Sequence, residues 1–104
     1  MIADVETTMI KRVKIKLLGV FRRAYGNREV MLKVEDSVQL REIVQKLVAS
    51  SENLRRFLLD SELESPLPNA VILVNGKDIS VLNGLETSIV DGDEVVLIPV
   101  IHGG

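Results

Sequence analysis

The chain has 104 residues, of which 46% are hydrophobic and 27% are charged, with a formal net charge of −2 at pH 7 and no cysteine. This size and balance are typical of one globular domain with a real core and exclude two domains. The lack of cysteine excludes disulfides, thiolate metal ligands and a cysteine nucleophile, so any sulfur chemistry must use sulfur that another molecule supplies.

The first ten residues do not resemble an export signal. They contain Asp4 and Glu6 and lack the basic and apolar runs that such a signal needs. No apolar stretch approaches the ~18 residues that suggest a membrane span. We therefore expect a cytoplasmic protein without a membrane partner, built from a flexible extension (residues 1–10), a domain (residues 11–100) and an exposed tail (residues 101–104).

Two strands are predicted at the start of the domain. Residues 12–20 begin with strict alternation of apolar and basic side chains, the period of a half-buried strand, and become apolar on both faces toward Val20. Residues 25–27 supply turn-forming Gly and Asn, and residues 28–34 alternate again. The pattern therefore predicts a β-hairpin.

One long helix follows the hairpin. Glu35, Asp36 and Ser37 form a helix-start signal in which Ser37 is the predicted N-cap. A stripe with the spacing of one helical face comes next and is wide enough to cover one face of a small sheet. Its members are Leu40, Ile43, Val44, Leu47 and Val48.

A shorter helix and a buried strand are predicted next. Residues 52–60 have helical spacing, with Phe57 as a core residue rather than a ligand-stacking ring. A proline-containing breaker follows. Residues 70–74 are continuously apolar, which predicts a fully buried strand that enters a tight turn at Asn75 and Gly76.

The last elements complete a recognisable order. Residues 78–81 predict a short strand that pairs back, and residues 83–86 an irregular crossover. An Asp-Gly-Asp turn then leads into residues 94–100, a strand that must be central because both of its faces are apolar and that ends at Pro99, which lacks a backbone donor. The order predicts an α+β, β-grasp fold: a mixed sheet of four to five strands, one main helix across one face, and a short second helix.

One main helix leaves the other sheet face uncovered. Some apolar residues of the strands alternate with those predicted to face the helix. If they share the uncovered face, they form an apolar patch, which predicts a docking surface. These residues are Leu18, Val74, Val96 and Ile98. The alternative is that the short helix or the amino-terminal extension folds over them.

The charges are unevenly distributed along the chain. Residues 11–33 contain eight basic residues against Glu29 alone, whereas from Ser65 onward Lys77 is the one basic residue against five acidic ones. A basic face can steer a partner or meet nucleic acid, and a solvated rim neutralised on folding is the alternative. Because the chain has one Tyr, two Phe and no Trp, it lacks platforms for base stacking, and direct nucleic-acid binding is not expected.

The sequence ends in His102, Gly103 and Gly104, directly after the last strand. Glycine has no Cβ, so such an arm can thread a channel in which a side chain would clash. Residues 101–104 reach roughly 13 Å if extended. We interpret the carboxylate of Gly104 as the candidate reactive group, with a frayed end as the alternative.

Four blocks of the sequence, VKIKLLGVFRRAYG, AVILVNG, DGDEVVLIP and the final Gly-Gly, together resemble the ubiquitin-like sulfur-carrier proteins. This family includes the MoaD type small subunit of molybdopterin synthase, the thiamine sulfur carrier, the ubiquitin-related modifiers and the small archaeal modifiers. The resemblance runs from about Val13 to Gly104. A synthase subunit usually has paired prolines and a small residue before the diglycine, whereas His-Gly-Gly is similar to the ubiquitin-related modifiers, so both branches stay open.

The resemblance implies a carrier that partners modify, not an enzyme, with no permanently bound cofactor. An E1-like adenylating enzyme would use ATP to activate Gly104, and a persulfide-bearing donor protein would convert it to a thiocarboxylate. The sulfur would then pass to a molybdopterin precursor, with the large subunit of molybdopterin synthase as partner, or to a tRNA. Alternatively, a lysine of an acceptor protein would capture the acyl group. A non-covalent ubiquitin-like interaction module is the competing interpretation.

The resemblance also implies roles for individual residues. Leu18 and Ile98 match partner-facing apolar positions, and Arg22 matches a basic contact residue. Gly103 would keep the approach to Gly104 unhindered. His102 is the one histidine of the chain; since the sequence places no partner Ser, Cys or carboxylate beside it, we expect a spacer or channel contact. No catalytic residue and no metal site are predicted.

Overall fold

The computed structural model describes residues 10–100, which form seven strands, three α-helices and two short 3-10 helices. The strands are β1 (Lys11–Leu17), β2 (Glu29–Val34), β3 (Ser37–Gln39), β4 (Ala70–Val74), β5 (Lys77–Asp78), β6 (Ser88–Val90) and β7 (Glu94–Pro99). The α-helices are α1 (Gly19–Tyr25), α2 (Leu40–Ala49) and α3 (Glu52–Leu58), and the 3-10 helices are Ile79–Val81 and Gly84–Glu86.

Five of the strands form a mixed sheet in the order β2-β1-β7-β4-β5. The first and last strands, β1 and β7, are parallel neighbours at its centre, and the other pairs are antiparallel. The remaining two, β3 and β6, form a small antiparallel pair of their own. The predicted β-grasp fold is therefore confirmed, including the central position of the last strand.

The core lies between one face of this sheet and the helices. The predicted stripe of α2 is confirmed, because all five of its apolar residues are buried in the core. From β1, Val13, Ile15 and Leu17 reach the same core with no exposed surface. Burial of this apolar area is the main force that holds the helices on the sheet.

The predicted strand over residues 12–20 is wrong in its second half, where α1 begins instead. The antiparallel pairing of β1 with β2 is as predicted, but α1 connects them in place of a tight turn. Gly19 starts the helix with φ +54, and Phe21, which is 1% exposed, anchors it in the core. The break in alternation after Leu17 is the sequence signal of this change.

Ser37 is not the N-cap of α2, contrary to the prediction. It opens β3, and the helix begins at Leu40 after Gln39, which makes no side-chain cap. The Leu40 N–H donates instead to the carbonyl oxygen of Thr87 at 2.9 Å. A tertiary backbone contact thus replaces the local side-chain cap that the sequence pattern favours.

Two burial predictions in the second half are also wrong. Phe57 is 47% exposed rather than a core residue, while its neighbours Leu54 and Leu58 are fully buried. In β4, Val71 is 37% exposed, so this strand is buried on one face only. The short strand after the turn is limited to β5, since a 3-10 helix starts at Ile79.

The turns that deliver β7 are as predicted and are tied together by side chains. Asn75 and Gly76 have φ values of 50 and 84, which join β4 to β5 in a tight hairpin. The Asn75 side chain donates to Asp93 Oδ1 at 2.9 Å and accepts from the Glu94 N–H at 2.9 Å. This end of the sheet is therefore closed by a hydrogen-bonded network.

None of the helices in residues 10–100 is long and apolar enough to cross a membrane.

The two phenylalanines provide a matched test of this core. Phe21→Ala is expected to lower the free energy of unfolding by about 3–5 kcal/mol, because it empties a fully buried ring site. Phe57→Ala, the same change on a half-exposed ring, should cost less than about 1 kcal/mol. Urea denaturation of both variants measures the difference, and equal losses would contradict the placement of α1.

Candidate functional site

The sheet face opposite the helices has an apolar half on β4 and β7. Strand register places Val71 beside Ile98 and Leu73 beside Val96. Leu18, just beyond β1, continues the pairing, because its N–H donates to the Leu97 carbonyl oxygen at 3.2 Å. Leu18 is 43% exposed, and the other four are partly exposed. We call these five residues the outer apolar patch: Leu18, Val71, Leu73, Val96 and Ile98.

Val74 does not belong to this patch, although its parity was expected to place it there. It is 5% exposed and lies on the core side of β4 with Ala70 and Ile72. A one-residue change in the assumed register moves every side chain of a strand to the opposite face. Val71 and Leu73 therefore take the place that the sequence pattern assigned to Val74.

The short second helix does not cover the outer apolar patch. It packs against α1 and α2 on the other side of the sheet, with Leu54 and Leu58 in the core. The amino-terminal extension, the other predicted cover, lies outside the described residues. Within residues 10–100, the patch therefore faces solvent, which is the condition for a docking surface.

The other half of this face is basic. Lys16, Arg22 and Arg28 line an open cavity of about 400 Å³ together with Leu18 and Glu29. Arg22 belongs to α1 and lies next to the outer apolar patch, because it lines the same cavity as Leu18. The surface thus offers positive charge directly beside apolar area, a combination that suits a partner with an acidic rim around an apolar contact.

Two ion pairs on the basic half are too exposed to stabilise the fold strongly. Lys16 Nζ lies 3.3 Å from Glu94 Oε2, and Lys14 Nζ lies 4.0 Å from Glu29 Oε1. Exposed pairs of this kind contribute about 0–1 kcal/mol.

The structure places the root of the tail beside the outer apolar patch. Pro99 ends β7 as predicted, and the Val100 N–H donates to the Asn69 carbonyl oxygen at 3.0 Å. His102, Gly103 and Gly104, the predicted tail site, lie outside the described residues. The root of the tail is thus at Val100, two residues after Ile98. It lies next to the surface expected to bind partners.

Sequence reasoning missed three contributors to this region. Val71 and Leu73 belong to a run that is apolar at every position. Only the register with β7 shows which residues of this run face outward. The contact of Asn69 with Val100 joins residues far apart in sequence. For Asn69, no local sequence signal exists.

The five-stranded mixed sheet with helices on one face is the β-grasp fold of the ubiquitin-like carrier and modifier proteins. The chain belongs to the ThiS family, whose model matches residues 15–104. The resemblance to the ubiquitin-like sulfur-carrier family is therefore confirmed.

Known proteins of both branches are similar to this chain. Small archaeal modifier protein 3 of Haloferax volcanii is 27% identical over 93 residues, which cover 88% of this chain and 98% of the relative. The solution structure of small archaeal modifier protein 1 from Methanosarcina acetivorans has a TM-score of 0.77 at 29% identity and covers 91% of this chain and 98% of its own. A putative molybdopterin converting factor, subunit 1, from Pyrococcus furiosus shares the fold with a TM-score of 0.69 at 19% identity, covering 88% of this chain and 99% of its own.

Two valines of one strand test the assignment of faces. Val71→Asp should lower the free energy of unfolding by about 1 kcal/mol or less, since its side chain reaches water on the outer face. Val74→Asp should cost several kcal/mol, because it buries a carboxylate without a partner. Chemical denaturation measures both, and the reverse order would show that the outer face is wrongly assigned.

Proposed function

We propose that this protein is a sulfur carrier whose Gly104 carboxylate is adenylated by an E1-like enzyme and converted to a thiocarboxylate. The observation that carries the proposal is the match to the ThiS family, which extends through the final diglycine to Gly104. The exit of the chain from the sheet at Val100, beside an exposed apolar patch, supports it.

Activation is needed because a carboxylate anion is a poor acyl electrophile. One carboxylate oxygen of Gly104 attacks the α-phosphorus of ATP, pyrophosphate leaves, and an acyl adenylate forms. A protein persulfide then attacks the acyl carbon, so that AMP leaves and an acyl disulfide results. A thiol of the donor attacks its sulfur–sulfur bond, forms a protein disulfide and releases the thiocarboxylate. Gly103 keeps this approach open because it has no side chain.

Docking is proposed to use the outer apolar patch. Burial of its five side chains in a partner would supply apolar contact, and Arg22 would pair with a carboxylate at the rim. Docking there would bring the root of the tail to the partner, because Ile98 of the patch is two residues from Val100. His102 is proposed to contact the channel that receives the diglycine.

The proposed destination of the sulfur is a molybdopterin precursor, with the large subunit of molybdopterin synthase as the resident partner. A second candidate is a ubiquitin-related modifier used for tRNA thiolation, lysine conjugation or both. The sequence similarity to two small archaeal modifier proteins favours this second use. The chemistry up to the activated Gly104 is common to both, so the two differ only in the acceptor.

Intact-mass analysis tests the shared step. After incubation with the E1-like enzyme, ATP and a persulfide donor, the protein should gain the mass of one sulfur in place of one oxygen. A variant with one alanine appended after Gly104 should gain none, because the extra methyl group blocks the channel. A variant with one alanine added before Met1 is the matched control. An unchanged wild-type mass would favour a non-covalent interaction module instead.

The two acceptors can be distinguished with the thiocarboxylated protein. Incubation with the molybdopterin precursor and the large synthase subunit should consume the thiocarboxylate and regenerate the carboxylate if the first destination is correct. Conjugation would instead leave a Gly-Gly remnant on acceptor lysines after proteolysis, detected by peptide mass spectrometry. Transfer of the sulfur to tRNA, without lysine conjugates, would assign the protein to tRNA thiolation.

A further inference from the structure

The root of the tail is held from two sides. On the β4 side, the Val100 N–H donates to the Asn69 carbonyl oxygen at 3.0 Å, which extends the pairing of β7 one residue beyond Pro99. On the β1 side, the Pro99 ring lies against the bare Cα of Gly19 at the start of α1. A Cβ placed on Gly19 would come within 2.9 Å of Pro99 Cγ and 3.6 Å of Cδ.

Both supports are themselves fixed. The Asn69 side chain donates to the Leu58 carbonyl oxygen at 3.2 Å, and its backbone N–H donates to Pro66 at 3.0 Å. On the other side, α1 is anchored by the buried Phe21, and the Leu18 N–H donates to Leu97. Neither side can shift without disturbing the core.

Glycine is required at position 19 for two separate reasons. Its φ of +54 is disfavoured for residues with a side chain, and Pro99 occupies the space that a Cβ would need. Gly26, at the other end of α1, has φ +95 but nothing within 4 Å of its Cβ position. The two glycines therefore separate the effect of backbone strain from the effect of the Pro99 contact.

We propose that Gly19, Pro99 and Asn69 are positioning residues that set the direction in which the carboxyl-terminal arm leaves the sheet. This inference rests on the proposed function, because a direction matters only if the end of the arm must reach a reacting group. The four residues beyond Val100 span roughly 13 Å when extended.

The length of this arm makes its direction important. A change of about 20° at the root would displace the far end of a 13 Å arm by roughly 4–5 Å. Reaction requires the attacking and attacked atoms to lie about 3–3.5 Å apart in a favourable orientation. A held root therefore lowers the number of conformations from which the arm must enter the active site of the activating enzyme.

Adenylation kinetics test the role of Gly19. Gly19→Ala should lower the kcat of the E1-like enzyme for this carrier by about tenfold or more, because misplacement acts on the chemical step. KM for the carrier should change less than kcat, because the substitution alters none of the five side chains of the outer apolar patch. Gly26→Ala carries comparable backbone strain without the Pro99 contact and should keep the wild-type kcat. Pro99→Ala, which removes the ring without adding strain, should lower kcat in the same direction.

Hydrogen exchange provides a readout that needs no enzyme. The Val100 amide should exchange several-fold faster in Gly19→Ala and Pro99→Ala than in the wild type or Gly26→Ala, since the hydrogen bond to Asn69 opens more often. Equal kcat values for Gly19→Ala and Gly26→Ala, or unchanged Val100 exchange, would overturn the positioning role. A wild-type protein that is not adenylated at all would instead overturn the proposed function.

Discussion

The parallel pairing of β1 with β7 is the constraint on which the rest of this molecule depends. It brings the first and last strands together at the centre of the sheet, so β7 has one face in the core and the other on the outer apolar patch. The root of the tail at Val100 consequently follows a strand that is paired on both sides. In the register of this pair, Leu17 lies beside Leu97, and the N–H of the exposed Leu18 donates to the Leu97 carbonyl oxygen. One interaction therefore sets the positions of the core, the outer apolar patch and the root of the tail.

The elements that the sequence predicts well are those whose signal is periodic and local. The stripe of α2 and the alternation of β2 each repeat often enough to define a face, and the Asn75-Gly76 turn needs only two residues with positive φ. The elements that it predicts poorly depend on tertiary contacts. Leu40 is capped by the carbonyl of Thr87, far away in sequence, so the local serine signal is misleading. Val74 illustrates a different limit: in a run without polar residues, the two faces of a strand cannot be told apart until its partner strand is known.

The outer face has two features that would act at different stages of the proposed docking. Its basic half, with Lys16, Arg22 and Arg28 around one cavity, would act over a distance of about a Debye length and raise the rate of encounter with an acidic partner. Its apolar half acts only on contact, when water leaves the side chains of β4 and β7. The uneven charge distribution of the sequence is thus explained in part, because the basic strands β1 and β2 form one side of the surface whose other side is apolar.

The proposed function requires a tail that enters another protein and a body that stays folded. At the root of this tail, the Val100 N–H donates to Asn69, and Pro99 before it cannot donate a backbone hydrogen bond toward β1. A longer arm would reach further but would lose more conformational entropy on entering a channel, at roughly 1–2 kcal/mol per ordered residue. In the proposed function, a held root reduces the entropy lost on binding, because fewer residues become ordered when the tail enters a channel.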